Sequence, residues 1–580
     1  MMVSNAQLHT DYVGLEAVDR FLAAQLCQSL GSQCAVMQHL IMALSKALRN
    51  GHSCLPLADI AGQTYWSTTG ETGTGIAPVL GYTFAAVGVL MDSAQSYPIT
   101  AGHAAPLVLE NARLYLRRYW HYEQQVAQHL LQRMQSHQLS KQQQVKASDV
   151  LLQLFEEPLE AQINWQAQAV QEALVRQVSV ISGGPGTGKT YTVARLLVSL
   201  QAVNDTSLTI AMAAPTGKAK QRLVESINFA KSQLLKQGID KALIDSIPDT
   251  AHTLHGLLGL RPNSYSAKHH KGNPLPIDLL LVDEVSMVDL PMMARLLDAL
   301  PEHCKLVLVG DAEQLPSVAA GSVLADIPSA AISYLHKSHR FEGQGGIGLL
   351  ANCVMHNQAE KSWQVLLTNK DLSLILEEEF QIWLEQMCDQ YFLPMLKAKT
   401  LDEAFICLTQ FRILAATRQG EMGVEGLNEQ VERLLSRRSS QVRLGQNYHG
   451  KPVMVTKNHH GLGLFNGDIG ILMPDESNQL KAIFIDEQGN QRAFSPARLP
   501  AHDKVYVMTI HKSQGSEFSY TAMVLPPLKQ ARMGINRQLV YTGITRAKNK
   551  FELVADKKVL QLAMNKSVSR ASGLYERLQF

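Results

Sequence analysis

Residues 183–190 read Gly183-Gly184-Pro185-Gly186-Thr187-Gly188-Lys189-Thr190, and they match the phosphate-binding pattern G-x-x-x-x-G-K-[ST] at every position. The apolar, β-branched run Val178–Ile181 predicts a buried strand before them, and the apolar spacing of 191–203 predicts a helix after them. A strand, a glycine-rich loop and a helix together aim backbone N–H groups at a phosphate chain. An accidental glycine-rich turn would not be flanked in this way, so we expect a phosphate-binding loop.

The loop predicts a site for ATP and Mg²⁺. Lys189 is expected to reach the β- and γ-phosphates, and the Thr190 hydroxyl is expected to hold Mg²⁺. The sequence therefore indicates that the chain binds and hydrolyses a nucleoside triphosphate. The remaining motifs have to show what this hydrolysis drives.

The bulk composition limits the possible partners. The chain has 580 residues and a formal net charge of +2, so a nucleic-acid partner has to be held in a local groove. The seven cysteines include no C-x-x-C pair, which disfavours a zinc site or a disulfide framework. Cys27, Cys34 and Cys54 are spaced too loosely for an iron–sulfur cluster. Because scattered thiols suit a reducing compartment and no signal peptide or membrane span is evident, we expect a cytoplasmic protein with no membrane partner.

The apolar patterns predict an α/β protein with several domains. Two regions in which strands alternate with helices each predict a parallel sheet with ligand groups at the strand ends. The stretch from Leu107 to Met134 is expected to be helical. The predicted boundaries are 1–110 for a helical amino-terminal domain, 111–150 for a connector helix, 151–345 for the first α/β domain, and 346–444 with 501–580 for the second.

Residues 445–500 interrupt the second α/β pattern. Short apolar runs there are separated by Asn466-Gly467-Asp468 and by residues 487–490, which are strong hairpin signals. This pattern predicts a small SH3-like β-barrel inserted into the second α/β domain. Its predicted strands are 453–455, 469–473, 481–485 and 491–494.

Two further strand ends carry the acidic and amide groups that hydrolysis needs. Asp283 is expected to coordinate Mg²⁺, and Glu284 is expected to orient or deprotonate the attacking water. In the stretch 310–316, Gly-Asp-Ala-Glu-Gln-Leu-Pro, Gln314 is placed to sense the γ-phosphate. An acidic strand end is common at protein surfaces, but its combination with the phosphate loop is specific.

These motifs resemble those of superfamily 1 DNA helicases. The resemblance covers residues 150–580 and implies two RecA-like domains that sandwich one ATP. It also implies that Gln166, in Asn164-Trp165-Gln166, binds adenine. The further matching stretches are Ala214–Ala219 for motif Ia, Thr253–His255 for motif Ib, Val507–Phe518 for motif V and Val540–Ala547 for motif VI.

An arginine is expected to complete the nucleotide site. Phosphoryl transfer develops negative charge that an arginine finger stabilises. The candidates are Arg340, near the end of the first α/β domain, and Arg546, in motif VI. A surface ion pair is the common alternative for an arginine, and the match to motif VI favours Arg546.

The same resemblance implies contacts with single-stranded DNA. Hydroxyls, a lysine and helix N-termini suit phosphate contacts, which carry no sequence information. The two histidines in these motifs can equally be structural, and no metal-binding cluster surrounds them. The residues in motifs that face DNA in this superfamily are Thr216, Lys218, Thr253, His255, Thr509, His511 and Ser513.

Within the superfamily, the chain resembles the B-type helicases of the RecD family, the alpha subunits of exodeoxyribonuclease V. This resemblance implies a 5′→3′ motor that works with RecB and RecC on DNA ends at double-strand breaks, during recombinational repair. It also implies an amino-terminal domain docked on RecC, and a nuclease in a partner subunit. The stretches that carry the resemblance are Gly51–Leu57, Asp283–Asp289, Gly310–Leu324, Gly423–Asn428 and Gly463–Gly470.

Two alternatives stay open. A stand-alone helicase of the Pif or relaxase type would share the motor motifs, but residues 1–150 show no nicking domain and no helix-hairpin-helix repeats. A catalytically idle scaffold subunit would not need the intact set of ATP-site residues, and that set argues against it.

Overall fold

The chain is described by a computed structural model. Its sheets define an amino-terminal part, a first α/β unit, a second α/β unit and an antiparallel sheet inserted into the second unit. Within the described ranges, no helix is both long and apolar enough to cross a bilayer. The structure describes residues 12–67, 80–134, 139–155, 163–261, 266–336, 345–486, 489–530 and 534–579.

The amino-terminal part is helical, as expected, and in addition contains short strands. The helices bury one face each, with Leu40, Ile41 and Leu44 fully enclosed in a local core. The elements are α1 (Ala17–Ser29), α2 (Ala35–Arg49), β1 (Leu55–Pro56), α3 (Leu57–Ile60), β2 (Thr64–Tyr65), β3 (Tyr82–Thr83), α4 (Val87–Gln95), β4 (Leu107–Glu110), β5 (Arg113–Leu116) and α5 (Arg117–Arg133).

The prediction of a continuous helix from Leu107 is wrong, because β4 and β5 form a hairpin there. Asn111 and Ala112 both have positive φ angles, of 50° and 55°, and a two-residue turn with this backbone closes antiparallel strands. The hairpin pairs with β1 and completes a three-stranded sheet. The predicted connector 111–150 therefore consists of β5, α5 and a further helix.

The first α/β unit is built on a six-stranded parallel sheet. The apolar runs 178–181, 207–213, 277–282 and 305–309 predict four of its strands to within a few residues, and two short edge strands are additional. The elements are α6 (Lys141–Leu154), α7 (Trp165–Val175), β6 (Val178–Gly183), α8 (Lys189–Val203), β7 (Ile210–Ala214), α9 (Gly217–Lys236), α10 (Lys241–Asp245), β8 (His252–Thr253), α11 (Leu254–Leu257), β9 (Leu279–Val282), α12 (Leu290–Ala299), β10 (Lys305–Gly310), α13 (Val323–Asp326) and β11 (Ile332–Leu335).

The strand order of this sheet is β11-β6-β10-β9-β7-β8. Alternate residues of each strand enter different cores: Leu280 and Val282 pack with α5 and α12, whereas Leu279 and Leu281 pack with α7, α8 and α9. Helices on both faces explain why the strands are continuously apolar. The parallel arrangement brings the carboxyl ends of β6, β7, β9 and β10 to one edge, where the predicted motifs lie.

The second α/β unit has a five-stranded parallel sheet in the order β12-β21-β20-β13-β19. The elements from here to the carboxyl terminus are α14 (Gly346–Met355), α15 (Ala359–Thr368), β12 (Leu372–Ile375), α16 (Phe380–Met387), α17 (Leu393–Lys397), α18 (Leu401–Gln410), β13 (Phe411–Ala415), α19 (Val424–Arg438), β14 (Pro452–Val455), β15 (Ile469–Pro474), β16 (Leu480–Ile485), β17 (Gln491–Phe494), β18 (His502–Lys504), β19 (Val507–Thr509), β20 (Phe518–Val524), α20 (Arg537–Ile544), β21 (Ala547–Val554), α21 (Lys557–Asn565) and α22 (Leu574–Arg577).

The inserted sheet consists of the antiparallel strands β17-β16-β15-β14-β18. Its four predicted strands are confirmed, and β18 is a fifth strand that the apolar pattern did not reveal. Val453, Leu472 and Phe484 form a small core of their own. At the turn before β15, Gly467 has a φ of 97°, a backbone that glycine adopts without strain.

Candidate nucleotide site and DNA-facing loops

The phosphate loop is held by its own backbone and by Lys189. The loop follows β6, and Gly186 and Gly188 have φ angles of 78° and 79°, which favour glycine. The Lys189 ammonium donates to the carbonyl oxygens of Gly183 and Gly184 at 2.6 and 3.1 Å. The Thr187 hydroxyl donates to the Gly184 carbonyl at 2.9 Å. These bonds close the loop over the N-terminus of α8.

Gln166 contacts the phosphate loop directly. It lies on α7, and its side-chain amide donates to the carbonyl oxygen of Thr187 at 3.0 Å. The structure thus brings Gln166 to the nucleotide site. Its contact with adenine stays a prediction.

Asp283 and Glu284 follow β9 at the same edge of the sheet. Burial raises the pKa of Asp283, and the neighbouring Glu284 carboxylate raises it further, whereas Lys189 opposes the shift. Glu284 has a left-handed backbone with a φ of 52°, which costs a non-glycine residue roughly 1 kcal/mol or more. Strain of this kind tends to occur at functional sites. The Glu284 N–H donates to the Asp283 carboxylate at 2.9 Å, which ties the two acids together.

Asp311 and Gln314 follow β10 and are both buried. The Gln314 amide donates to the Asp311 carboxylate at 3.0 Å. Tyr541, from the second α/β unit, donates its hydroxyl to the same carboxylate oxygen at 3.2 Å. Burial raises the pKa of Asp311, against the opposing effect of Lys189. The γ-phosphate-sensing candidate is therefore anchored by residues of both units.

Arg546 is 2% exposed and enters the site from the second unit. Its guanidinium donates to the carbonyl oxygens of Thr542 and Ser516 at 3.2 and 3.1 Å. Burial lowers the pKa of Arg546, while the carboxylates of Glu284 and Glu517 raise it. In this arrangement the guanidinium faces the acids of the first unit across the cleft.

A cavity of about 230 Å³ lies between the two units. It brings together all but one of the predicted catalytic residues and most of the phosphate loop. The exception is Arg340, which lies outside the described residues, so its role stays a prediction. The lining residues are Gly184, Pro185, Gly186, Gly188, Lys189, Thr190, Tyr191, Ala219, Arg222, Ser226, Asp283, Glu284, Gln314, Glu517 and Arg546.

Three residues of this site escaped the sequence analysis. Arg222 of α9 forms an ion pair with Glu517 across the cleft, and Tyr541 contacts Asp311. Glu517 and Tyr541 lie inside motifs V and VI, and Arg222 lies three residues after motif Ia, but the motifs alone did not assign them a role. Their contacts join the two units, and such pairs cannot be read from local patterns.

The DNA candidates of the first unit lie at the carboxyl ends of β7 and β8. Thr216 and Thr253 cap helices: their hydroxyls accept from the backbone N–H groups of Ala219 and Gly256 at 3.2 and 3.1 Å. Such helix N-termini suit phosphate groups. Lys218 lies in the first turn of α9, and burial lowers its pKa to about 8.

His255 is exposed beside Thr253 on this edge. Its placement is compatible with a DNA contact, and the structure leaves that role a prediction.

The candidates of the second unit lie in the loop after β19. Thr509 is partly exposed and His511 is exposed. Ser513 is fully buried, and its hydroxyl donates to the Ile510 carbonyl at 2.7 Å. The structure therefore does not place Ser513 on the surface with the other candidates, because its hydroxyl closes the turn. Gly515 completes this loop.

The loop after β19 lies against α9 of the first unit. A Cβ built on Gly515 would lie 3.5 Å from the Cβ of Ala219. The loop that carries Thr509 and His511 therefore lies beside the first turn of α9, which carries Lys218.

All seven cysteines are unpaired, and five are buried. Among the described residues, no group of three or more histidine, cysteine, aspartate or glutamate side chains is arranged to hold a metal ion.

Three family models match the chain. They are an AAA domain over residues 166–320, a UvrD-like helicase C-terminal domain over 504–554 and the N-terminal domain of RecBCD enzyme subunit RecD over 13–115. A crystal structure of Bacteroides Pif1 helicase in complex with ADP-AlF3 and ssDNA aligns over 70% of this chain and 94% of that one, at 16% identity and a TM-score of 0.38. At this identity and TM-score, the alignment by itself does not indicate a function.

Full-length relatives give a stronger result. The RecBCD enzyme subunit RecD of Mycolicibacterium smegmatis is 35% identical over 97% of this chain and 98% of its own length. That of Haemophilus influenzae is 34% identical over 82% of this chain and 81% of its own length. The ATP-dependent RecD2 DNA helicase of Deinococcus radiodurans is 31% identical over 71% of this chain but only 52% of its own length. The chain therefore belongs to the RecD family of DNA helicases.

Proposed function

We propose that the chain is an ATP-dependent 5′→3′ DNA helicase that acts as the RecD subunit of a RecBCD helicase–nuclease. The observation that carries this proposal is the shared cavity between the two α/β units. Lys189, Asp283, Glu284 and Gln314 line it from the first unit, and Arg546 lines it from the second. Hydrolysis at such a site changes how two units are held together, and this is how a motor moves along a strand.

Within this site, each residue has a distinct task. Lys189 and the loop N–H groups bind the phosphates, and Gln166 holds the loop and adenine. Glu284 orients or deprotonates the attacking water. Gln314 senses the γ-phosphate, and Arg546, with Arg340 as the other candidate, stabilises the charge that develops during transfer.

The donor set fits Mg²⁺. Thr190 and Asp283 line the same cavity and offer oxygen atoms, which are the ligands that Mg²⁺ prefers. A divalent cation also offsets the repulsion and burial that raise the pKa of Asp283. When bound, Mg²⁺ neutralises charge on the β- and γ-phosphates.

Single-stranded DNA runs along the strand-end loops of both units. Thr216, Lys218 and Thr253 contact its phosphates from the first unit, with His255 beside them. Thr509 and His511 contact it from the second. These groups recognise phosphates rather than bases, so binding is independent of sequence. We propose that Ser513 acts through the shape of its turn.

RecB and RecC are the proposed partners, at duplex ends in the cytoplasm. The match of residues 13–115 to the RecD N-terminal domain supports docking of this part on RecC, and seven unpaired cysteines suit a reducing compartment. We propose the domain division given by the sequence pattern, with α5 assigned to the first unit because it packs on that sheet. The inserted five-stranded sheet is proposed to be the SH3-like barrel.

The stand-alone helicase is the alternative. This chain spans nearly the whole of the mycobacterial RecD but about half of the Deinococcus RecD2 helicase, which favours the subunit. A scaffold without catalysis is disfavoured by the complete cavity.

Unwinding of two short duplexes tests the proposal, one with a 5′ single-stranded tail and one with a 3′ tail. We expect the full chain to unwind only the 5′-tailed duplex, and Lys189→Gln to abolish both unwinding and ATP turnover. Unwinding from the 3′ tail would contradict the polarity. Turnover retained by Lys189→Gln would contradict the site. Unwinding of neither duplex by the chain alone, but of the 5′-tailed one after addition of RecB and RecC, would identify a motor that depends on its partners.

A further inference from the structure

Tyr541 belongs to the second α/β unit, yet its hydroxyl lies in the nucleotide site of the first. The residue is on α20 and is 3% exposed. Its hydroxyl donates to one carboxylate oxygen of Asp311 at 3.2 Å, and the Gln314 amide donates to the same oxygen at 3.0 Å. One oxygen atom therefore joins the candidate γ-phosphate sensor to the other side of the cleft.

The phosphate loop also packs against the Tyr541 hydroxyl. A Cβ built on Gly184 would lie 2.8 Å from the Tyr541 hydroxyl oxygen, closer than such atoms approach. Gly184 thus leaves room for Tyr541, so the tyrosine touches the loop as well as Asp311.

Further hydrogen bonds link the two units next to this contact. The Leu315 N–H donates to the Thr542 hydroxyl at 2.9 Å, and the Gln514 amide donates to the Leu315 carbonyl at 2.9 Å. Arg546 donates to the Thr542 carbonyl. A displacement of α20 therefore moves the candidate arginine finger and the anchor of Gln314 together.

We propose that Tyr541 is a positioning residue that couples closure of the cleft to the placement of Gln314, through Asp311. The proposal rests on the function proposed above. With the hydroxyl on Asp311, the carboxylate is fixed and presents one oxygen to the Gln314 amide. Without it, the Asp311 carboxylate keeps the Glu313 N–H at 3.1 Å and the Gln314 amide but loses its anchor on the second unit, so Gln314 loses its orientation toward the phosphates. Such an effect falls on turnover rather than on ATP binding, because Lys189 and the loop are unchanged.

The test is Tyr541→Phe in the full chain, assayed as DNA-stimulated ATP hydrolysis. We expect kcat to fall roughly tenfold while the KM for ATP changes by less than about twofold. Tyr448→Phe is the matched control, because Tyr448 is also buried and donates to a carboxylate, that of Glu432, at 2.9 Å, and neither of these residues lines the nucleotide cavity. A kcat loss equal in both variants, or a parallel rise in KM, would overturn the proposal.

A double-mutant cycle with Asp311→Asn tests the route. If Tyr541 acts through Asp311, adding Tyr541→Phe to Asp311→Asn should lower kcat by less than about twofold further. A full additional tenfold loss would show that Tyr541 acts by another path. Lys189→Gln distinguishes a failure of the proposed nucleotide site from a failure of the positioning role. If Lys189→Gln has no ATP turnover while Tyr541→Phe has normal turnover, only the positioning role of Tyr541 fails. Thermal unfolding of each variant shows whether a loss reflects misfolding.

Discussion

Distant parts of the chain meet both at the nucleotide cleft and at a carboxyl-terminal joint, where residues 570–577 contact α5 and the amino-terminal part. The two places are built differently. In the cleft, most of the contributing residues lie inside recognisable motifs, many of them at strand ends. In the joint, the fully buried Glu123 of α5 accepts from the Ser53 hydroxyl at 2.6 Å, the Ser572 hydroxyl at 3.1 Å and the Gly573 N–H at 3.1 Å. Arg577 adds an ion pair at 3.4 Å. The cleft residues are placed for chemistry, whereas the joint residues hold the amino-terminal part, α5 and the carboxyl-terminal tail together.

The joint reaches the segment that follows Gln314. Arg570 donates to the Ala319 carbonyl at 2.9 Å and to the Ser317 hydroxyl at 3.2 Å. The Gly321 N–H donates to the Gly51 carbonyl of the amino-terminal part at 2.9 Å. The carboxyl-terminal tail thus fastens the amino-terminal part beside the nucleotide site, without lining the cavity.

The largest effect is expected in the cleft, from Arg546→Ala. Removal of the cation should lower kcat for ATP hydrolysis by about 10²- to 10³-fold, because the negative charge that develops during phosphoryl transfer then loses this arginine. ATP binding, measured by titration of a fluorescent ATP analogue, should be nearly unchanged.

Arg546→Lys is the conservative control for that variant. It keeps the charge but lacks the planar fork, so an intermediate rate is expected. Unchanged kcat in Arg546→Ala would show that the finger lies elsewhere and would leave Arg340 as the candidate.

The sequence predicted the cleft far better than the joint. The phosphate loop and the acids at 283–284 could be found because each is a short pattern with its own strand. The contacts of Arg222, Glu517 and Tyr541 could not, since their partners lie on the other unit and only the fold brings them together.

The amino-terminal hairpin shows a second limit. Leu107, Leu109, Leu114 and Leu116 have spacings that fit a strand pair as well as a helix, and the turn at Asn111 decided between them. Ser513 shows a third limit: its motif was identified, but the pattern does not say which way a hydroxyl points.

An intermediate effect, on stability rather than turnover, is expected in the joint. Glu123→Gln removes the buried charge that pairs with Arg577 and alters the set of acceptors, which should lower the free energy of unfolding by roughly 1–3 kcal/mol. Urea unfolding measures this change. The kcat of the folded fraction should stay near that of the wild type, because Glu123 does not line the cavity.

Glu360→Gln is the matched control for the joint. Glu360 pairs with Lys557 at 2.7 Å, but its side chain is 65% exposed, so its loss should leave the free energy of unfolding nearly unchanged. Equal losses in the two variants would mean that the joint contributes no more than a surface ion pair.

The smallest effect is a pH dependence at the rim of the joint. Burial raises the pKa of Asp326 to about 7, and the Glu123 carboxylate raises it too, whereas the bond to Ser572 and the charge of Arg570 oppose the shift. The folded protein therefore holds this proton more tightly than the unfolded chain, in which an aspartate has a pKa of about 3.9. The stability contributed by this group is complete below about pH 4 and is lost as the pH rises through about 7.

Asp326→Asn keeps this side chain neutral at every pH, so it should remove that loss. We expect the stability gained by the variant over the wild type to be larger at pH 8 than at pH 5 by roughly 1–2 kcal/mol, after allowance for solvent screening. Asp283 and Asp311 also have raised pKa values, but they titrate in both proteins and cancel in the difference. Asp205→Asn, at an exposed ion pair, controls for the loss of a surface charge. A stability difference that is the same at pH 5 and pH 8 would show that Asp326 is already ionised in the folded joint. Protonation of Asp326 would then not change the stability of the joint in this pH range.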